Sequence, residues 1–338
     1  MTKRYDVALC GYYGFGNVGD EMILHALVEL AQESGLKKDR ILALSASPRQ
    51  TEEELSIASV NRWRAKSVLC ALRKSRTLLL GGGGLLQDVT SLRSPLYYWG
   101  VVMESSIAGC HPWAFGQSVG PFHKKTSERI ARDVFRRCRP RVVRDTPSQR
   151  LLSKWGLSAD LAPDPAFILD VGPPIESGDV VILNIRPWGS LSVEIAREAT
   201  AYAQEHGYAL RCLALSPDDE ALLKDFRSSG LLARAEIVRL TSWKMATSLF
   251  AGAVLAVGMR FHFFVLTLLL GTKAVAVPYD PKVESLAESW SIPVWKGERA
   301  LEEVAENARR PSTKEITDAR RTARESFQSA LKEALEGR

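Results

Sequence analysis

The sequence is poor in several features that would each mark a class of protein. Its 338 residues hold only five cysteines (Cys10, Cys70, Cys110, Cys138 and Cys212), odd in number, widely spaced and without a CxxC pair. That excludes a disulfide scaffold and a zinc ribbon, and suits buried thiols in a reducing compartment. Long apolar runs are missing: the longest, residues 261–270, is interrupted by His262 and is far below the roughly 20 residues that span a bilayer. The N-terminal apolar run is too short for a secretory signal, so the expected location is the cytoplasm. With 16 Pro and 24 Gly the chain is not of low complexity, and 46% hydrophobic with 25% charged residues excludes disorder. Charge of one sign is only mildly in excess, 45 Lys and Arg against 39 Asp and Glu, a net +6. That surplus suits an anionic substrate, an anionic membrane surface or nucleic acid without choosing among them. The length exceeds the roughly 100–200 residues that one core serves, so two domains are expected.

What is there is alternation. Short β-type runs alternate with helical ones, the pattern of parallel sheets covered by helices. Strands are expected at 5–10, 40–46, 77–80, 112–116 and 141–143, with helices at 20–34, 66–75, 94–110, 124–139 and 147–155. The pattern pauses at 162–179, where Pro163, Pro165, Gly172, Pro173, Pro174 and Gly178 mark a linker. It resumes with strands at 180–185, 209–215, 236–239, 254–257 and 274–278, and a short one at 293–295. A last helix over 313–335 carries Ile316, Ala319, Ala323, Phe327, Ala330, Leu331 and Ala334 as an apolar stripe that must bury. The fold class is α/β: two Rossmann-type, doubly wound parallel-sheet domains, 1–165 and 178–310, facing a cleft. A closing helix at 311–338 is expected to pack back on the first domain.

Candidate ligand residues fall at the carboxyl ends of these strands, where open α/β sheets bind ligands. The first loop contains Gly14-x-Gly16-x-x-Gly19 and then Asp20, a spacing that lets backbone approach an anion at a helix N-terminus. A nicotinamide dinucleotide would also need a carboxylate after the second strand; residues 45–49 read Ser-Ala-Ser-Pro-Arg, and Asp20 would crowd a pyrophosphate. Asp20 is either an N-cap or a carboxylate aimed at the ligand. The next strand runs into Gly81, Gly82, Gly83 and Gly84, followed by Gln87 and Asp88; four glycines admit close approach of a backbone or a ligand. Gln117 and Arg144 end the following strands.

The second half presents cations instead. Arg186 follows one strand, Arg260 and His262 a second, and Lys282 a third. Arginine's planar fork suits phosphate or carboxylate, Lys282 is a compact charge, and His262 can move a proton near neutral pH. A small phosphorylated carboxylate over the helix N-termini fits this set better than a neutral sugar. No cluster of residues calls for a metal.

The stretches GYYGFGNVGDE (11–21), LLLGGGGLLQDVTSLRS (78–94), FGQSVGP (115–121), VRD (143–145), LSPDDE (215–220), MRFH (259–262) and YDPKV (279–283) together resemble the polysaccharide pyruvyl transferase family, most closely its bacterial CsaB-type branch. The resemblance runs from residue 5 to about residue 290. It implies a GT-B-like fold and transfer of a pyruvyl group from phosphoenolpyruvate to a sugar as a 4,6-linked ketal, with no further cofactor. In that branch it implies an N-acetylmannosamine acceptor on a lipid-linked cell-wall polymer precursor, the polymer later anchoring S-layer-homology domains. The first domain becomes the acceptor side and the second the donor side. Arg144, His262 and Lys282 fall on family positions linked to phosphoenolpyruvate binding or catalysis; Arg260, Gly14, Gly16, Gly82 and Gly83 match as well. Arg144 or Arg186 would take the donor's carboxylate, and Asp20 or Asp88 the sugar hydroxyls.

A lipid-linked acceptor would place the enzyme on the inner face of the plasma membrane. Residues 61–76, NRWRAKSVLCALRKSR, hold six basic and no acidic residues, with Trp63, Val68, Leu69 and Leu72 interleaved, and resemble an interfacial amphipathic helix. Two rival readings stand beside this one. A GT-B glycosyltransferase using a nucleotide sugar would share the architecture and could set Glu284 on a ribose. A non-catalytic, nucleic-acid-binding module would suit the basic pI, but no aromatic–basic recognition motif is present.

Overall fold

A computed structural model describes residues 3–88 and 93–337. The chain forms two compact units, one of Met1–Leu169 with Asp318–Arg338 and one of Asp170–Thr317.

The first unit is built on seven parallel strands: β1 (Tyr5–Cys10), β2 (Ile41–Ser45), β3 (Ala58–Asn61), β4 (Ser75–Leu86), β5 (His111–Val119), β6 (Arg141–Val143) and β7 (Asp160–Leu161). Their order is β3-β2-β1-β4-β5-β6-β7, so the winding reverses between β1 and β4. Every residue of β1 and β2 is buried, because helices cover both faces of such a sheet. The helices are α1 (Val18–Glu33), α2 (Pro48–Leu55), α3 (Ala65–Arg73), α4 (Arg93–Ile107), α5 (Lys125–Arg137) and α6 (Thr146–Lys154).

The second unit repeats the plan with β8 (Ser177–Asn184), β9 (Ala209–Ala214), β10 (Glu236–Arg239), β11 (Gly252–Gly258) and β12 (Ala274–Ala276), in the order β10-β9-β8-β11-β12. Its helices are α7 (Gly189–Glu205), α8 (Pro217–Ser228), α9 (Ala246–Leu249), α10 (Phe261–Leu269), α11 (Pro281–Ser289) and α12 (Leu301–Ala305). Ser216 and Asp280 cap α8 and α11, each with proline in the first helical turn.

The last helix, α13 (Thr313–Glu336), returns to the first unit from Asp318 onward. Its buried Phe327 packs 5.7 Å from the ring of Trp113 and 5.1 Å from that of Phe115 on β5, and Arg320 donates to the carbonyls of Phe167 and Leu169.

Four local expectations need correction. The run Gly81–Gly84 is not a loop: β4 continues through it to Leu86, pairing Gly81 with Phe115 and Gly83 with Gln117, with a register shift after Gly83. Positive φ at Gly82 and Gly83 makes this a bulged strand end. The expected helix over 61–76 is split by the end of β3 at Asn61, a turn over 62–64, α3 and the start of β4. Val68, Ala71 and Leu72 of α3 face the core and Leu69 is half-buried; Trp63, in the turn, is 62% exposed. The polar α2 and the short β3 were not foreseen, since α2 buries only Thr51 and Leu55 and so has almost no apolar stripe. The strand expected at 293–295 is a single bridge between Ala276 and Val294. Among the described residues no helix is long and apolar enough to cross a membrane.

Candidate functional site

In the first unit the reversal point lies between the loop after β1 and the end of β4. Asn17, not Asp20, caps α1: its side chain accepts from the Gly19 N–H. Asp20 stands in the first turn beside Gly83, where an added Cβ would come 3.1 Å from Asp20 Oδ1. The Gly14 N–H donates to Glu21 Oε1 at 2.8 Å, and the backbones of Phe15 and Gly16 also donate to that carboxylate. Burial pushes the Glu21 carboxyl above the usual range and these N–H donors pull it back. The concave row of backbone N–H groups that a glycine loop offers an anion is thus filled by the protein's own carboxylate.

The glycines have packing reasons too. A Cβ on Gly14, at φ +80, would meet Ser45 Oγ at 2.3 Å; one on Gly82, at φ +68, would meet Ile23 Cγ2 at 2.4 Å. Gln117 is fully buried and its Nε2 donates to the carbonyls of Leu80 and Gly82, which fixes the bulge. Among the described residues no donor reaches its Oε1. Asp88 accepts from the His123 and Lys124 N–H groups at 2.7 and 2.9 Å and so anchors the entry to α5. Burial opposes ionisation of Asp88, but these N–H groups and Ser127 hold its carboxyl below the ordinary value. Gln87 is half-buried beside it; residues 89–92 of the quoted motif lie outside the described residues.

Arg144 ends β6 inside the protein. Its side chain is 1% exposed and pairs with Asp164, which is fully buried, while its Nε donates to Ser118 Oγ at 2.7 Å. Ser118 in turn donates to Asp145, the cap of α6. Arg144 therefore sits in a matched internal pair.

The second unit's reversal point lies between β8 and β11, flanked by Arg186 and Arg260. Asn184, fully buried at the end of β8, joins three strand ends: its Nδ2 donates to Leu213 O, its Oδ1 accepts from Arg260 N, and its carbonyl accepts from Met259 N. Arg260 caps α10, and its guanidinium forms a bidentate pair with the fully buried Asp219 plus a 2.7 Å bond to Ser216 Oγ. His262 is the second residue of α10 and half-buried, its ring 5.3 Å from that of Phe261. Lys282 Nζ pairs with Asp280 at 2.9 Å.

Arg186 is different. Its guanidinium carbon lies 4.4 Å from the ring centre of Tyr279 and 5.5 Å from that of Trp188, in the range of cation–π contacts. Its Nε is buried with no acceptor, and no carboxylate among the described residues pairs with it. Lys282 Nζ is 5.9 Å from the same Tyr279 ring, so the two cations are gathered about one tyrosine. The site's net positive charge thus rests on Arg186, because Arg260 and Lys282 are each matched by an aspartate. Sequence reading missed Asn184, Asp219, Asp280 and Tyr279. The only signal was a polar residue closing an apolar strand, VVILN, and acids standing in LSPDDE and YDPKV.

A cavity of about 260 Å³ among Arg139, Arg141, Ser158 and Glu333 lies at the amino ends of β6 and β7, away from the ligand edge. Among the described residues no group of three His, Cys, Asp or Glu side chains could hold a metal.

Two parallel-sheet Rossmann units with polar residues gathered at their carboxyl strand ends define a GT-B-like protein. Solved structures share that fold. The Anabaena protein HepE, crystallised with UDP and glucose, matches with a TM-score of 0.57 at 14% identity, covering 99% of this chain and 100% of that one. UDP-N-acetylglucosamine 2-epimerase from Rickettsia bellii matches with a TM-score of 0.62 at 10% identity, over 98% and 97% of the two chains. At such identities the likeness is one of fold alone. The family model for polysaccharide pyruvyl transferase matches residues 17–281, and the chain belongs to that family. A curated relative, the amylovoran biosynthesis protein AmsJ of Erwinia amylovora, is 21% identical over 216 residues, 54% of this chain and 52% of AmsJ. The chain thus spans about half the length of that relative.

Proposed function

We propose that this chain is a polysaccharide pyruvyl transferase that takes the pyruvyl group of phosphoenolpyruvate and sets it as a 4,6-ketal on a sugar of a polysaccharide precursor. The observation that carries the reading is Arg186, a cation that no carboxylate among the described residues pairs with, at the reversal point of the second sheet, where His262, Arg260 and Lys282 also fall. Phosphoenolpyruvate offers a carboxylate for a planar fork and a phosphate for the N-termini of α10 and α11. The donor's carboxylate is assigned to Arg186 rather than to Arg144, whose guanidinium is closed against Asp164.

The chemistry balances without a redox partner. Protonation of the donor's methylene carbon makes C2 electrophilic, and the first sugar hydroxyl adds there, its proton replacing the one given to the carbon. The C2–O bond to phosphate breaks, the second hydroxyl closes the ketal, and its proton leaves with phosphate. His262 supplies or receives a proton in this sequence. Asp20, beside the bulge at Gly83, orients sugar hydroxyls in the first unit. The resemblance to the CsaB-type branch favours N-acetylmannosamine on a lipid-linked carrier as acceptor, processed at the inner face of the plasma membrane. A glycosyltransferase using a nucleotide sugar is supported by fold likeness only, and Glu284, the carboxylate considered for a ribose, pairs with Lys296 at 2.7 Å.

The test is phosphate release from phosphoenolpyruvate with and without a synthetic lipid-linked GlcNAc–ManNAc acceptor. Acceptor-dependent release is expected, and His262→Ala should lower turnover by roughly 10²–10⁴ while the protein stays folded. Absence of release with wild-type protein would overturn the reading; unchanged turnover in His262→Ala would remove that residue from it.

A further inference from the structure

The first unit carries a group of aromatic rings that the donor chemistry does not use. Tyr12 and Phe15 come from the loop after β1, Trp63 from the turn after β3 and Tyr97 from the start of α4. Tyr12 and Phe15 stack at 4.0 Å, with their planes within 10°. Phe15 meets Trp63 edge-on at 6.1 Å, and Trp63 meets Tyr97 at 5.4 Å. Beneath them lies Arg62, only 4% exposed, its guanidinium carbon 4.3 Å from the centre of Tyr97, 5.2 Å from Phe15 and 5.3 Å from Trp63. Arg62 donates to the Gly11 carbonyl and to the Tyr98 hydroxyl, which ties the loop after β1 to α4.

The cluster is braced by Arg62 and exposed in part. Tyr12 is 41% exposed and Trp63 62%, an unusual display of large rings in contact with one another. Since Phe15, Trp63 and Tyr97 are held by one another and by Arg62, and Tyr12 is stacked on Phe15, a ligand stacking on them orders little that was free. The exposed members are aromatic, and Val68, Ala71 and Leu72 of adjoining α3 face the core. Flat rings with negative faces suit the C–H face of a pyranose, which is apolar and carries the positive ends of its C–H dipoles. The loop bearing Tyr12 and Phe15 leads directly into α1, on whose first turn Asp20 stands, so the rings and the proposed sugar-orienting carboxylate share one strand-end region.

We propose that the Tyr12–Phe15–Trp63–Tyr97 cluster is a stacking subsite for a pyranose ring of the acceptor glycan. The identity of the ligand as a glycan rests on the reading above; the geometry of the platform does not. The test uses saturation-transfer difference NMR on soluble methyl glycosides of N-acetylmannosamine, galactose and glucose and on a GlcNAc–ManNAc disaccharide. With wild-type protein, ring protons of one sugar face should receive saturation; Trp63→Ala should lose the signal and Trp63→Phe should keep it. In the phosphate-release assay, Trp63→Ala should raise the acceptor KM roughly tenfold and leave the KM for phosphoenolpyruvate unchanged. The subsite is overturned if no glycan of the panel shows transfer with the wild type, or if Trp63→Ala keeps both signal and acceptor KM. It is equally overturned if Trp63→Ala abolishes binding to vesicles of phosphatidylcholine and phosphatidylglycerol but leaves glycan transfer intact, since the rings would then be a lipid anchor. Glycan transfer without any phosphate release would break the pyruvyl transfer reading and leave the subsite standing.

Discussion

The loop after β1 and the turn after β8 hold the same topological place, the crevice where strand order reverses, and the chain equips them oppositely. In the first unit the backbone N–H groups of Gly14, Phe15 and Gly16 close on Glu21, and the glycines of β4 lie against Ile23 and Asp20. The buried cation at that sheet's far side, Arg144, is matched by Asp164. In the second unit the corresponding turn leaves Arg186 stacked on Tyr279 and Trp188 with no carboxylate among the described residues. One crevice has satisfied its charges internally and offers rings; the other withholds one cation from satisfaction. The proposed function puts the acidic donor where charge is left over and the neutral sugar where it is not.

Substitutions can break that contrast. The largest effect is expected at Asp219, fully buried and holding Arg260 in place. Asp219→Ala leaves a largely buried guanidinium without its carboxylate and should cost about 3–5 kcal/mol, read as a lower unfolding midpoint. If unfolding were unchanged, Arg260 would not be internally matched and the charge argument for Arg186 would fall. Next, Gly82→Ala forces a side chain into Ile23 at φ +68 and should cost about 2–4 kcal/mol of stability. A variant that unfolded as late as wild type but lost acceptor would make Gly82 a ligand contact after all.

Arg186→Ala comes third. Loss of a charge-assisted pair worth about 1.5–3 kcal/mol should raise the phosphoenolpyruvate KM by roughly 10- to 100-fold at unchanged stability. Arg186→Lys should not restore it, because an ammonium cannot present two parallel donors while stacked on a ring. Full rescue by lysine would reduce Arg186 to a point charge.

The smallest effect concerns Glu315, a carboxylate whose charge has no part in the site. Its side chain closes a capping box with Ser312 and pairs with Arg309 at 2.6 Å. The Arg309 hydrogen bond, followed by the Ser312 donors, lowers its pKa from 4.5 to about 2. A carboxyl lowered on folding adds stability above its unfolded value and loses it as pH falls from about 4.5 through about 2. Glu315→Gln should therefore cost no more than about 1 kcal/mol at neutral pH, a difference that disappears below the folded pKa. Chemical unfolding at several pH values measures it; a gap that widened toward acid would refute the pairing.

Much of the architecture was legible in single residues. Strands 5–10, 141–143 and 236–239 coincide with β1, β6 and β10; β1 reads as a short apolar run because it is buried on both faces, and β6 and β10 are marked by the β-branched pairs Val142–Val143 and Ile237–Val238. The alanine and phenylalanine stripe of α13 was visible for the same reason of periodicity. The polar α2, with two buried residues, was invisible to any pattern of hydrophobicity. At the candidate sites, the residue types and their strand-end places were visible: Arg186, Arg260, His262 and Lys282 all lie there. Their states of charge were not. Asp219 is 41 positions from Arg260, and Asp164 is 20 from Arg144. Only Asp280, two residues from Lys282, could have been guessed from nearness.

By itself, then, the sequence determined the alternation of strand and helix and the strand ends at which the polar side chains fall. These follow from periodicity, from capping residues and from glycine and proline, all of which act within a few residues along the chain. Only the tertiary structure decided which glycines make room for protein and which cations keep their charge. Such outcomes depend on distances of a few ångströms between segments remote in sequence, where a single carboxylate placed within reach turns a binding group into a buttress.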